Sequence, residues 1–149
     1  MRKPERQLVV LHGVNLDMLG ERPVEHYGTV TLGELEAACR QKCEALGWTC
    51  LCVQTNHEGV YVEYLHEHRY ASALLVNPGA WTHYSFAIRD ALEIVTCPTA
   101  EVHLSDISTR EEWRRDSVIS GVVNFTVSGK GPAGYLEAVD RLIALVEHT

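Results

Sequence analysis

Ser72-Ala-Leu-Leu-Val-Asn-Pro-Gly-Ala80 is the stretch that decides the fold. Its first five residues form a short, continuous apolar run without alternation, as a strand covered on both faces requires. Asn77-Pro-Gly-Ala80 then turns the chain at the strand's carboxyl end. Working outward, strand and helix signals alternate. Residues 7–11 and 48–54 read as strands. The helix between them starts at a Thr31 cap with Glu34 three positions on, a capping box, and ends near Leu46-Gly47. Residues 59–68 read as helical. Past the turn come a helix over 83–94, a strand over 99–104, a short charged helix over 110–115, a strand over 122–127 and a last helix over 131–147. Five strands alternating with helices predict a doubly wound parallel sheet in three α/β/α layers.

The chain has 149 residues, enough for one domain with a real core, and its apolar content of 46% is ordinary for a globular protein. No repeat, linker or low-complexity segment divides residues 1–149. A net charge of −7 with no basic stretch argues against a nucleic-acid partner. Attraction for a small anion would therefore come from a few placed arginines. No stretch approaches a membrane span. The first apolar run is too short for a signal peptide, so the cytoplasm is the expected address. The five cysteines are an odd number, and Leu32, Leu35, Cys39, Cys43 and Leu46 form one helical stripe. Small buried thiols describe them better than a zinc site, and no metal is expected.

In such a sheet ligands bind beyond the carboxyl ends of the strands. Those ends carry His12-Gly-Val-Asn15 after the first strand, Asn77 to His83 after the third, and Glu101, His103 and Ser105 at the fourth. Neither GxxxxGK[ST] nor GxGxxG follows the first strand, and Gly129-Lys-Gly-Pro-Ala-Gly134 reads as a helix entry. His83 is expected at a helix N-terminus, which would disfavour its protonated form and welcome an anion nearby. Standing alone, it reads more readily as a structural hydrogen-bonder. Arg110 and Arg114 share a helix face and could simply pair with Glu111 or Glu112. The long loop over residues 16–28 has the length of a lid. It holds Arg22 and Tyr27. A guanidinium would stabilise a phenolate, so Tyr27 can be a general base, or else a surface anchor.

Taken together, these pieces resemble the type II 3-dehydroquinate dehydratases (type II dehydroquinases). The likeness rests on Gly13-Val-Asn15-Leu, Leu19-Gly-Glu-Arg22, Tyr27-Gly28, Gln54-Thr-Asn-His-Glu-Gly59, Asn77-Pro-Gly-Ala-Trp-Thr-His83, Ala87-Ile-Arg-Asp90-Ala, Glu101-Val-His103-Leu-Ser105, Arg110-Glu-Glu-Trp-Arg114 and Gly134-Tyr135. The resemblance implies a flavodoxin-like fold and dehydration of 3-dehydroquinate to 3-dehydroshikimate, in the shikimate pathway, through an enolate. It implies no cofactor and no Schiff-base lysine. By position, Tyr27 would be the base, Arg22 its activating lid arginine, and Asn15 the holder of a water on the enolate oxygen. His103 would be the acid, oriented by Glu101. Asn77, His83, the amides of Leu104 and Ser105, and Arg114 would bind substrate. Arg110 would support the tyrosinate, and Asp90 would reach a neighbouring subunit in trimers assembled into a dodecamer.

The chain also departs from the family pattern. His12 and Val14 replace the usual Asn and Pro. Arg22-Pro23-Val24 replaces Arg-Glu-Pro. Trp81 and Tyr84 replace Tyr and Thr, Asp106 replaces Asn, Val118 replaces an aromatic residue, and Asn124-Phe125 replace small apolar residues. Trp81 and Tyr84 are expected to thicken the pocket wall beside His83. That leaves two alternatives open: the same dehydration on a related ring, such as an amino analogue of dehydroquinate, or an inactive oligomeric homologue.

Overall fold

The computed structural model describes residues 5–148. Its five strands are β1 (Gln7–His12), β2 (Thr49–Gln54), β3 (Ala73–Asn77), β4 (Thr99–His103) and β5 (Phe125–Ser128), all parallel, in the order β2-β1-β3-β4-β5. This is the flavodoxin-like order, with its switch point between β1 and β3. The helices are a single turn, α1 (Val24–Tyr27), then α2 (Leu32–Ala45), α3 (Glu58–Glu67), α4 (Phe86–Leu92) and α5 (Pro132–Glu147). No described helix is long and apolar enough to cross a membrane.

Period-two alternation along β1 divides the core. Leu8 and Val10 face α2 and α5, packing with Leu35, Cys39, Cys43, Tyr135 and Leu142. Val9 and Leu11 face the other way, packing with Tyr61, Leu65, Trp81, Ile88 and Leu92. Between the two layers every residue of the central β3 is buried, which is why it reads as an unbroken apolar run. α2 begins with the expected capping box, Thr31 Oγ1 accepting from the Glu34 amide and Glu34 from the Thr31 amide.

Several expected boundaries shift. Residues 83–94 are not one helix: a 3-10 turn, Gly79–His83, comes first, and Ser85 caps α4 by accepting from the Ile88 amide. His83 therefore ends a 3-10 turn and does not sit at a helix N-terminus. Residues 110–115 form no α-helix either. Two 3-10 turns, Ile107–Thr109 and Glu112–Arg114, occupy the segment, the first capped by Asp106, which accepts from the Ser108 amide. β5 starts three residues late because another 3-10 turn, Ser120–Val122, takes the chain ahead of it. Asn124 then locks the edge, its side chain accepting from the Thr99 amide. Leu46 leaves the predicted apolar stripe for solvent.

At the switch point the loops after β1 and β3 interlock. The Gly13 amide donates to the Asn77 carbonyl at 2.7 Å, and a Cβ on Gly13 would fall on the Pro78 carbonyl. Gly79, at φ +64°, would put a Cβ 2.6 Å from the Val14 carbonyl. Only glycine permits this approach, and it brings Asn15 and Asn77 to one floor.

Candidate active site

A cleft opens over the carboxyl ends of β1, β3 and β4, where the sheet rule places it. Asn15, Arg22, Tyr27, Asn77, His83, His103, Leu104, Ser105, Arg110 and Arg114 all line it. These are ten of the twelve residues expected from the sequence. Glu101 lies behind His103, fully buried, and Asp90 stands apart on the exposed side of α4.

The lid supplies the most distinctive contact. The Tyr27 hydroxyl accepts from Arg22 Nη2 at 3.0 Å and from Arg110 Nη1 at 3.2 Å. Arg22 also stacks on the phenol ring, its guanidinium carbon 4.3 Å from the ring centre. Arg110 is buried and tied to Ser105 Oγ at 3.2 Å, so one cation is fixed to the body of the protein and the other comes from the loop that carries Tyr27. Two guanidiniums on one phenol oxygen are an arrangement suited to negative charge there.

The second group is a buried acid–imidazole pair. His103 Nε2 lies 2.5 Å from Glu101 Oε2, which leaves Nδ1 for the cleft. Burial pushes the Glu101 carboxyl up, but hydrogen bonds from His103, Thr82 and Ser117 outweigh it and hold the group below the usual carboxylate range. Thr82 Oγ1 donates at 2.6 Å, Ser117 Oγ at 2.8 Å, and Thr126 Oγ1 reaches the other oxygen at 3.2 Å. Glu101 is thus an ionised, fully bonded anchor for the imidazole.

The polar floor is held as firmly. Asn77 Nδ2 donates to the Tyr135 hydroxyl at 2.7 Å, while its Oδ1 accepts from the Gly79 amide. Asn15 is the one described non-glycine residue at positive φ, 67°. Its amide donates to Asn56 Oδ1, which Gln54 also bonds, and Asn56 donates to Asp17. His83 Nδ1 bonds the Asp116 carbonyl at 2.7 Å, and its ring meets Trp113 edge-on. Its proton affinity is lowered as expected, but burial is the main cause, not a helix terminus. Arg114 pairs with Glu111 at 2.6 Å, the surface pairing the spacing suggested, yet both it and Arg110 still face the cleft.

Three groups escaped the sequence reading. Thr82 and Ser117 hold Glu101, and Tyr135 holds Asn77. Gly134-Tyr135 and Asn77 to His83 stood among the motifs, so Tyr135 and Thr82 had a signal without a role. One expectation fails outright. Trp81 is 5% exposed and packs edge-on against Tyr61 in the core, and Tyr84 is 55% exposed. Neither lines the cleft. The thicker wall that favoured an altered ring substrate does not exist. Of the lysines, Lys42 pairs with Asp140 and Lys130 with Glu137, neither at the cleft; Lys3 lies outside the described residues.

Comparison with known proteins points the same way. The family model "Dehydroquinase class II" matches residues 6–143. The chain is 44% identical to a 3-dehydroquinate dehydratase of Roseiflexus castenholzii over 138 residues, 92% of this chain and 88% of that one. It superposes on the crystal structure of a type II dehydroquinase from Propionibacterium acnes with a TM-score of 0.89 at 38% identity, covering 93% of this chain and 96% of the other. For the type II dehydroquinase of Butyrivibrio crossotus the TM-score is 0.91 at 35% identity, with 95% and 99% covered.

Proposed function

The chain belongs to the class II dehydroquinase family, and from that premise we propose how its cleft carries out the dehydration of 3-dehydroquinate to 3-dehydroshikimate, a hydro-lyase reaction of the shikimate pathway. The observation that carries this reading is the Tyr27 hydroxyl held by Arg22 and Arg110 in the same cleft as the His103–Glu101 pair. A base and an acid in one cleft are what a stepwise elimination needs.

The substrate carboxylate and ring hydroxyls lie against Arg114, His83, Asn77 and the Leu104–Ser105 backbone. Tyr27, as phenolate, takes the proton from the carbon beside the ketone and becomes the neutral phenol. The electron pair moves onto the ketone oxygen as an enolate, received by a water held on Asn15. The enolate then re-forms the ketone and expels the β-hydroxyl, which His103 protonates so that it leaves as water. Glu101 keeps the imidazole in one tautomer and orientation. Proton transfer back from the Tyr27 phenol to solvent and reprotonation of His103 restore the starting state.

The same reading includes self-association. Asp90 and Phe86 lie one turn apart on α4, and Phe86 is 68% exposed. This face would meet a neighbouring subunit in a trimer, with trimers assembled into a dodecamer, and Asp90 would reach that neighbour's cleft. Light scattering of the purified protein tests the assembly. The reaction is tested by mixing the protein with 3-dehydroquinate and following the ultraviolet absorbance of the conjugated enone. Steady growth of that band supports the reading, and a flat trace over hours at micromolar enzyme removes it.

A further inference from the structure

Behind the cleft, on the α2 side of the sheet, the chain assembles a group of metal-binding atoms that the reaction does not use. His12 ends β1 on the face carrying Leu8 and Val10, and it is fully buried. Cys52 lies on β2, opposite Val10 in the register. Glu36, Cys39 and Cys43 fall at i, i+3 and i+7 on α2, one helix face turned to the same strands. The ligand atoms of His12, Glu36 and Cys52 all lie within 4.8 Å of one another.

Two independent features mark this as more than packing. First, His12 Nε2 is buried and makes no hydrogen bond; its nearest anion, Glu36 Oε2, is 3.6 Å away. A buried polar atom without a partner is uncommon in a folded protein. Nδ1 faces the Tyr135 oxygen at 3.5 Å, so Nε2 is the ring nitrogen turned toward Glu36. Second, the thiols crowd together. Cys50 and Cys52 have their sulfurs 3.8 Å apart.

We infer that His12 Nε2, Glu36 and Cys52 form a three-donor site for a thiophilic divalent cation of the zinc type. Nitrogen, carboxylate and sulfur are the donor types zinc takes, with water completing a tetrahedron. In such a tetrahedron neighbouring donors are about 3.5 Å apart. The His12 Nε2–Glu36 Oε2 pair, at 3.6 Å, already has that spacing; with every separation within 4.8 Å, Cys52 has at most about 1.3 Å to close. On binding, the Cys52 S–H bond breaks, its proton goes to solvent, and its electron pair forms the sulfur–metal bond. The cysteine spacing alone indicated packing because it omits His12, which arrives from another strand. The site is joined to the cleft by a short chain, His12 Nδ1 to the Tyr135 hydroxyl to Asn77 Nδ2.

The test is titration of the reduced protein with Co²⁺ and Zn²⁺. Co²⁺ should bind one per chain with an ultraviolet sulfur-to-cobalt charge-transfer band and release of one proton, and Zn²⁺ should displace it, abolishing the band with no further proton release. Cys52→Ala should remove the band. His12→Asn and Glu36→Gln should each weaken binding by about 10- to 100-fold, with folding checked by circular dichroism. Glu36→Gln, on a partly exposed helix position, keeps the test decisive if the buried variants do not fold. Absence of a charge-transfer band in the wild type, or binding unchanged in Glu36→Gln and in whichever buried variants fold, overturns the assignment and leaves surface histidines as the binders.

Discussion

The Arg110 guanidinium and the Tyr27 hydroxyl, 83 residues apart in the chain, meet at 3.2 Å. Arg110 is buried and braced by Ser105, whereas Arg22 reaches the same oxygen from the loop that carries Tyr27. Removing either cation takes away half of what faces a developing phenolate. Arg22→Ala and Arg110→Ala should each lower kcat by about 10²-fold, the scale of a general-base contribution. Steady-state kinetics with 3-dehydroquinate measures this, and near wild-type kcat in both variants contradicts the shared role.

Tyr135 touches no substrate but fixes Asn77, which should. Tyr135→Phe leaves the buried Asn77 Nδ2 without its 2.7 Å partner. An unsatisfied buried amide costs about 1–3 kcal/mol. The variant should lose about that much stability in denaturant and raise KM by more than it lowers kcat. An unchanged KM with reduced stability would confine Tyr135 to a packing role.

Much of this was legible in the chain before any coordinates. The apolar run at residues 73–77 announced a central parallel strand because both its faces are covered. Strand-end position then pointed to Asn15, Asn77, His83 and His103, and the cleft collects all four. The helix expected over 83–94 failed for a physical reason: Ser85 is a better cap than anything near His83, so the helix starts after it. The charged segment at 110–115 has helical spacing but lacks an apolar face, and it settles into 3-10 turns. Trp81 was misplaced because local sequence does not say which way a turn residue points; its ring went to the core beside Tyr61. Ser117 was invisible, since its bond to Glu101 depends wholly on how a loop is draped.

The Glu101 carboxyl gives a pH signature. Its proton affinity is depressed in the folded protein, with burial opposing and the His103, Thr82 and Ser117 bonds prevailing. His103 is the titratable group that faces it. Below the ordinary carboxylate value the unfolded chain binds a proton that the native state refuses, so stability rises with pH there. The contribution is present above the unfolded value and is lost as pH falls through the folded one. Glu101→Gln should therefore flatten the acid limb of a stability–pH curve below about pH 4.5. An acid limb identical to wild type would show that the carboxyl is not ionised in the fold.

In the proposed mechanism His103 and Tyr27 act at different steps, so isotope exchange separates them. His103→Ala should retain hydrogen–deuterium exchange at the carbon beside the substrate ketone far better than it retains net dehydration. Equal loss of both, read by NMR in D₂O alongside enone absorbance, would deny His103 its part as the acid.

Tyr27→Phe reads the proton-abstraction step itself. It removes one oxygen and leaves the Arg22 and Arg110 cations in place. In D₂O with 3-dehydroquinate, exchange and enone formation should fall together by about 10²-fold or more. Exchange at the wild-type rate in this variant would mean that another group takes the proton.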